Sequence, residues 1–585
     1  MQRPKMYPRH ENRRSRWCSL PSLIAPISCG VGGKKRRFMM LKTKRLRTAI
    51  MCIRKGVPRC ILLLYIHIYI QIMPPAVNIV AAEKGAAVDI PARLTRQVFI
   101  CCIIAAFGGF MFGYDIGISG GVTSMDDFLK KFFPGVYVKK HAAKEDNYCK
   151  FNDQYLQLFT SSLYLAAMVA SWVASKLCTA FGRKPVMQSA SFFFLVGAVL
   201  NAAAANLAML IAGRLCLGIG VGFGNQAVPL FISEMAPPKI RGALNSCFQL
   251  LITIGILFAN FINYFTSKMS GGYGWRISLG GAAIPALILG LGSLAILETP
   301  TSLVERGRTE EGRDALRRIR GTDSVEAELG EILRATEAAR GIRHPFANLM
   351  TKRSNRPQFF CGTIIAVFQQ FTGMNVIMFY APVLFQTIGL GADASLISSV
   401  ITGGVNAAAT FITIGFVDRL GRKFLLVEGA LQMLVCQCLA GAILMKHLHS
   451  TDAIPSHYAV MLLIVICVFV AGFAWSWGPL GWLIPSEIFS LETRTAGFFF
   501  AVSANMVCTF AIAQAFLTMM CHLKAWTFFF FAAWIVVMGV FSCFFLPETK
   551  GIPIDEMNER AWKKHWYWKK YIRDDERVST LADEQ

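Results

Sequence analysis

Phe231-Ile-Ser-Glu-Met-Ala-Pro-Pro-Lys-Ile-Arg241 decides the fold, because its polar marks return about 250 residues later in Ile484-Pro-Ser-Glu-Ile-Phe-Ser-Leu-Glu-Thr-Arg494. Ser233-Glu234 precedes Arg241 at the spacing by which Ser486-Glu487 precedes Arg494. Working outward, Gly182-Arg183-Lys184 returns as Gly421-Arg422-Lys423, and Glu298-Thr299 returns as Glu548-Thr549. All of these marks sit in otherwise apolar sequence. Matching polar signatures at matching places indicate a duplicated membrane unit, an architecture that puts a substrate site between the halves.

Composition agrees. The chain has 585 residues, mean hydropathy +0.46, 54% hydrophobic and 16% charged residues. A soluble chain would carry nearer a quarter charged, so lipid is the expected solvent for most of it. The formal net charge of +25 does not indicate nucleic acid, because residues 1–59 hold 17 Lys+Arg against Glu11 alone, +16 of the total. Most of the 17 cysteines lie in apolar runs and read as small filler between helices, and no CxxC pair has metal spacing. Cys149 and Cys521 differ in falling in polar connections. No metal or cofactor is expected. Gly218-x-Gly220-x-Gly222-x-Gly224 lacks the strand–turn–helix context of a nucleotide loop and reads as close helix packing.

Residues 1–72 are basic and irregular and end in an apolar run, Cys60–Met73, too short to span a bilayer comfortably. The preferred reading makes Met73 the natural start and 1–72 an upstream extension; a basic arm or transit peptide is the alternative. Residues 73–97 read as a cytoplasmic N-terminus. Apolar length then predicts twelve helices: 98–121, 153–176, 186–205, 207–230, 244–266 and 276–297 in a first bundle (98–297), and 357–388, 396–417, 423–446, 457–485, 495–517 and 525–546 in a second (357–546). Segment 298–356 reads as soluble linker helices, with Asp323 as an N-cap and Glu326 in the first turn. Residues 547–585 form a tail. Basic residues around 183, 241, 306–356, 422, 494 and 563–570 place one side, and both termini, in the cytoplasm. The lysine-rich 122–152 connection goes against this rule.

Polar residues inside the spans carry the functional reading. Asp115 lies in an apolar, glycine-rich run, where an acid is costly and defaults to function. The alternative is a carboxylate at a broken helix end. Arg214 opens the apolar run of the fourth span and supplies a partner. Burial raises a carboxylate's pKa and an adjacent arginine lowers it, so a pair that separates would bind and release a proton. Gln249, Gln369, Gln370, Asn375, Asn406 and Asn505, with Thr509 one turn beyond Asn505, put uncharged donors and acceptors in several spans. These suit a neutral polyhydroxylated ligand, and Trp482 can face a sugar ring.

At this point the chain from about 73 to 570 resembles the plant sugar transport proteins, monosaccharide/proton symporters of the sugar porter family within the major facilitator superfamily. The motifs are Gly113-Tyr-Asp-Ile-Gly-Ile-Ser-Gly-Gly-Val122, Gln369-Gln-Phe-Thr-Gly-Met-Asn375, Val417-Asp-Arg-Leu-Gly-Arg422, Pro485-Ser-Glu487 and Pro547-Glu-Thr-Lys-Gly551. The resemblance implies an all-α fold of two pseudo-symmetric six-helix bundles. It makes Asp115 the proton-binding residue with Arg214 its partner. It makes Gln249, Gln369, Gln370, Asn375, Asn406, Trp482 and Asn505 sugar contacts, and it joins Cys149 to Cys521. Arg183, Glu234, Arg241, Asp418, Arg422, Glu487 and Arg494 become a cytoplasmic charge network. The first-half loop departs from the pattern: Thr179 stands where the second copy has Asp418, which is expected to weaken one arm of that network.

The expected activity is proton-coupled hexose uptake across the plasma membrane by alternating access, performed by a monomer whose partners are sugar, proton and bilayer, with no nucleic acid. A passive facilitator and a non-transporting sensor of the same fold are the alternatives, and an enzyme is disfavoured because no nucleophile–base set is visible.

Overall fold

The computed structural model describes residues 94–141, 148–269, 271–340, 344–387, 391–447, 455–552 and 556–572. The readings made for residues 1–72 and for most of 73–97 lie outside them. Twelve helical segments are long and apolar enough to cross a membrane. They are α1 (Arg96–Val122), α2 (Gln154–Phe181), α3 (Arg183–Ala203), α4 (Leu207–Met235), α5 (Arg241–Thr266), α6 (Gly274–Ala295), α7 (Arg353–Gln386), α8 (Ala392–Leu420), α9 (Arg422–His447), α10 (His457–Ile488), α11 (Arg494–Leu523) and α12 (Trp526–Phe544).

Their packing repeats with the duplication. α1 lies on α5 as α7 lies on α11; α2 on α4 as α8 on α10; α3 on α6 as α9 on α12. The halves meet through α2 with α11 and α5 with α8, the same pairing with the halves exchanged. Large apolar side chains that this packing leaves exposed, such as Phe192, Leu291, Phe411 and Val537, lie on outer faces and suit lipid.

Local chemistry sets the ends. Thr95, Asp153 and Asn206 accept from the Val98, Leu156 and Met209 amides and start α1, α2 and α4. Gly182 and Gly421, at φ +98° and +93°, stop α2 and α8 in a conformation that other residues rarely adopt. Helix pairs touch through small residues. A Cβ on Gly113 would lie 1.9 Å from the Ile252 carbonyl oxygen of α5. Gly218 and Gly222 face α2 and Gly220 faces α3 in the same manner.

Several expectations need correction. α1 runs unbroken through Asp115, so that residue caps no helix end. Breaks fall instead in α6, at Gly281-Ala282, in α7, at Thr372-Gly373, and in α10, at Trp475-Ser476. α4 continues through Ser233-Glu234, α5 begins at Arg241 and α11 ends at Leu523, each beyond the expected boundary. Counting apolar residues stops at charges, whereas α4 continues because Glu234 finds partners in Arg183 and Thr299. Cys521 is therefore in the last turn of α11 rather than in a connection. Between α1 and α2 the chain forms two short helices, Asp126–Phe132 and Pro134–His141, and the Cys149–Cys521 disulfide ties this connection to the second half. Of the linker helices, Glu326–Arg340 starts with Val325, whose carbonyl accepts from Leu329, so Asp323 stands ahead of the cap.

Gly113→Ala should lower the melting temperature in detergent by several degrees, consistent with an overpacking cost of about 1–3 kcal/mol. Gly224→Ala, which meets nothing within 4 Å, is the control. Equal melting temperatures would contradict the α1–α5 contact.

Candidate functional site

Three helices converge on Arg214. Its guanidinium pairs with Asp115 Oδ1 of α1, and its Nη2 donates to Ser119 Oγ at 3.0 Å. Its Nε donates to the Phe159 carbonyl of α2 at 2.9 Å, and the Phe159 ring lies 4.8 Å from its Cζ. Arg214 and Asp115 are both fully buried, and Asp115 Oδ2 has no hydrogen-bond partner among the described residues. A guanidinium here stays charged, so the unpartnered carboxyl oxygen is the place where a proton can be added or removed. The hydroxyl of Tyr164 is also buried without a partner among the described residues.

Beside this pair, Phe112 and Ile116 of α1 line a central cavity. Gln249, Gln369, Gln370, Asn375, Asn406 and Trp482 also line it, so the structure brings six predicted contacts from α5, α7, α8 and α10 to one place. The Trp482 ring is wedged edge-on between Phe112 and Phe248, at 6.4 and 5.6 Å between centroids. Just past the break in α10, Gln369 Nε2 donates to the carbonyls of Trp477 and Gly478 at 3.1 and 2.8 Å. The break in α7 lets Asn375 turn back and donate to Gln370.

Two predicted residues do not reach the cavity. Asn505 lies behind Gln369, donating to its Oε1 at 2.8 Å and to the Ala366 carbonyl at 3.2 Å. Thr509 donates to the Asn505 carbonyl at 2.7 Å. Spacing of four put both on one helix face, but that face packs on α7. Seven apolar lining residues were missed: Phe112, Ile116, Ile252, Ile256, Met374, Met378 and Phe473. An apolar side chain in an apolar span carries no signal of its own. Ser119, Glu305 and Gln514 were missed too.

At one end of the bundles the duplicated signatures assemble into two matching clusters. Arg183 pairs with Glu234 at 2.8 Å, and Arg422 pairs with Glu487 at 2.7 Å. Thr299 and Thr549 donate to those same glutamates at 2.7 and 3.0 Å. Glu298 and Glu548 accept from the Arg183-Lys184 and Arg422-Lys423 amides, closing the turns after Gly182 and Gly421. The clusters also tie the halves together. Arg494 of the second half lies 3.6 Å from Glu234 of the first, so the marks Glu487 and Arg494, neighbours in sequence, serve different clusters. Asp418 pairs with Arg422 at 3.0 Å and accepts from the Ala243 amide of α5 at 2.8 Å. Arg241 stands at the first turn of the same helix. Where Thr179 replaces the acid, Glu305 of the linker pairs with Arg183 at 2.7 Å, and Thr179 shares a hydroxyl bond with Thr495 at 3.2 Å.

The opposite end is closed without ion pairs between the halves among the described residues. Phe379 of α7 stacks near Tyr164 at 5.4 Å and seats its carbonyl on Gly120 of α1. Asn260 donates to the Ser399 carbonyl across α5 and α8 at 3.0 Å, and Ser161 donates to Gln514 across α2 and α11 at 2.6 Å.

The family model for sugar (and other) transporters matches residues 101–561. The chain belongs to the sugar transporter family. It is 60% identical to sugar transport protein 2 of Arabidopsis thaliana over 500 residues, covering 85% of this chain and 100% of that relative. It is 58% identical to sugar transport protein 8 of the same plant, covering 85% and 98%. Against sugar transport protein MST4 of Oryza sativa subsp. japonica it is 56% identical, covering 84% and 95%. Its structure is similar to the major facilitator proton:xylose symporter XylE bound to 6-bromo-6-deoxy-D-glucose, with TM-score 0.69 and 26% identity over 80% of this chain and 99% of that one. The partially occluded inward-open form of XylE from E. coli gives 0.63 at 26% identity, over 78% of this chain and 100% of that one. The fold is thus the major facilitator fold, and membership places the chain among multi-pass membrane transporters rather than enzymes.

Arg422→Ala strands the buried Glu487, and breaking such a pair costs about 3–5 kcal/mol. Thermal stability in detergent should fall far more than for the exposed Arg419→Ala. Similar losses for both would argue against the pairing.

Proposed function

We propose that this chain is a monosaccharide/proton symporter that takes up hexoses by alternating access, as a monomer in the plasma membrane with both termini in the cytoplasm. The observation that carries the reading is the unpartnered Oδ2 of Asp115, held beside Arg214 and one helical turn from a cavity lined by carboxamides. The names of the relatives and the xylose symporter with its bound glucose analogue support the substrate class.

The cycle follows from charge. With Asp115 ionised, the buried pair is neutral and holds α1, α2 and α4 together. A proton on Oδ2 leaves Arg214 unbalanced and relaxes its grip on α1. That shift bears on Phe112 and Ile116, and through them on sugar held by Gln249, Gln369, Gln370, Asn375 and Asn406. Asn505 acts as a positioning residue for Gln369. Neutral amides fit a hexose, which presents hydroxyls in every direction and no charge. The clusters around Glu234 and Glu487 close the cytoplasmic end and must separate for release. At 100 mV one proton is worth about 2.3 kcal/mol, roughly 50-fold accumulation.

Labelled-hexose uptake in transporter-deficient cells tests this. Accumulation above equilibrium, abolished by a protonophore, is expected. Downhill flux indifferent to pH would make the chain a facilitator, and binding without flux a sensor. Asp115→Asn should abolish accumulation while keeping sugar exchange; normal accumulation by that variant would refute the role given to the carboxyl. Gln369→Ala and Asn505→Ala should both weaken sugar affinity, with the larger loss at Gln369, where removing a buried partner costs about 1–3 kcal/mol or roughly 5- to 150-fold.

A further inference from the structure

Beyond α12 the sequence Trp562-Lys-Lys-His-Trp-Tyr-Trp-Lys-Lys-Tyr571 interleaves aromatic and basic residues, and transport as described uses none of them. An ordinary solvated tail would leave all these side chains to water. Here the segment is fastened. Trp562 and Trp568 are buried, and the Trp568 indole N–H donates to the Phe545 carbonyl at 2.7 Å. Gln358 of α7 donates to Asn558 at 2.8 Å. The His565 imidazole accepts from the Tyr567 and Trp568 amides, and burial and the nearby Lys423 charge lower its pKa, so the positive charge of the segment resides on its lysines.

Trp566 is the informative residue. Its indole N–H donates to the Phe544 carbonyl at 2.8 Å, at the very end of α12, yet 60% of the residue is exposed. The exposed Phe544, Val540 and Val537 precede it on α12, so the ring continues a lipid-facing stripe. An exposed indole pinned to the last turn of a membrane helix sits at the headgroup level. Lys564, Lys569 and Lys570 flank it in sequence, are exposed and make no ion pair among the described residues, and the Lys570 ammonium lies over the Tyr567 and Tyr571 rings at 4.2 and 5.2 Å. By contrast, Arg560 and Lys563 are matched by Glu556 and Glu559 at 2.7 and 2.6 Å.

We infer that Trp566 with Lys564, Lys569 and Lys570 forms a docking surface for the phosphate of an anionic phospholipid headgroup. The indole sets the depth and the three ammonium groups supply the charge. The leaflet involved depends on the orientation proposed above. The binding itself does not, because a detergent-solubilised chain has no sides, so failure here and failure of the transport reading are separable.

The test uses the full chain in detergent, titrated with phosphatidylserine, phosphatidylinositol 4-phosphate or phosphatidylcholine and read by native mass spectrometry. Both anionic lipids should be retained over phosphatidylcholine. Each lysine near a charged surface contributes about 5-fold, so K564Q/K569Q/K570Q should lose on the order of 100-fold in affinity. These side chains are exposed, and unchanged hexose uptake in phosphatidylcholine liposomes would show that the variant folds. Trp566→Ala should weaken retention with the lysines intact. Equal retention of all three lipids, or unaltered affinity in the lysine variant, would overturn the inference. So would competition by soluble inositol phosphate as strong as by the lipid, which would make this a free-phosphate site.

Discussion

A guanidinium without solvent must be matched by charge and by acceptors, and Arg214 of α4 meets that demand by drawing on two neighbouring helices, α1 and α2. Asp115 supplies the charge, Ser119 a hydroxyl, and mid-helix carbonyls of α2 the remaining acceptors. The cost of stranding such a charge is several kcal/mol. The protonation of Asp115 and the relative placement of α1, α2 and α4 are therefore linked quantities. Phe112 precedes Asp115 by one turn and lines the cavity, and in the proposed cycle this is how the linkage reaches whatever occupies it.

The two ends of the molecule are closed by different chemistry. The end with the duplicated signatures uses buried ion pairs and capped turns, and it uses them twice. The end with the disulfide uses ring contacts, glycine seats and single hydrogen bonds between neutral side chains. Ion-pair closure is specific in geometry and costly to leave half made. Neutral closure is weaker and easier to part. Of the broken helices, α7 enters the neutral closure through Phe379 and α10 the ion-pair closure through Glu487, and together they place Gln369, Gln370, Asn375 and Trp482 where the halves meet.

Duplication made the fold legible. Apolar length gave the number of helices, and the repeated Glu, Arg and Thr marks gave the halves. Buried polarity made the centre legible, since Asp115, Arg214 and six of the predicted contacts stand where intramembrane polar residues are expected to act. Asn505 was misplaced because period alone cannot say which neighbour a helix face meets; it meets Gln369 rather than the cavity. The Thr179 departure was read as a weakened arm, whereas Glu305, from a linker helix distant in sequence, stands in for the missing acid.

By itself, then, the sequence determined what must be buried and what must be paired: twelve apolar helices, an acid and an arginine within the first bundle, and two sets of matching charges. Only the tertiary structure decided the partners. It sent Arg494 to Glu234 across the halves, set Asn505 behind Gln369, and surrounded the amides with apolar walls from α1, α5, α7 and α10. The reason is physical. Hydropathy and period are properties of one helix, while a contact is settled by how helices cross, and that depends on the glycines and breaks that set their approach.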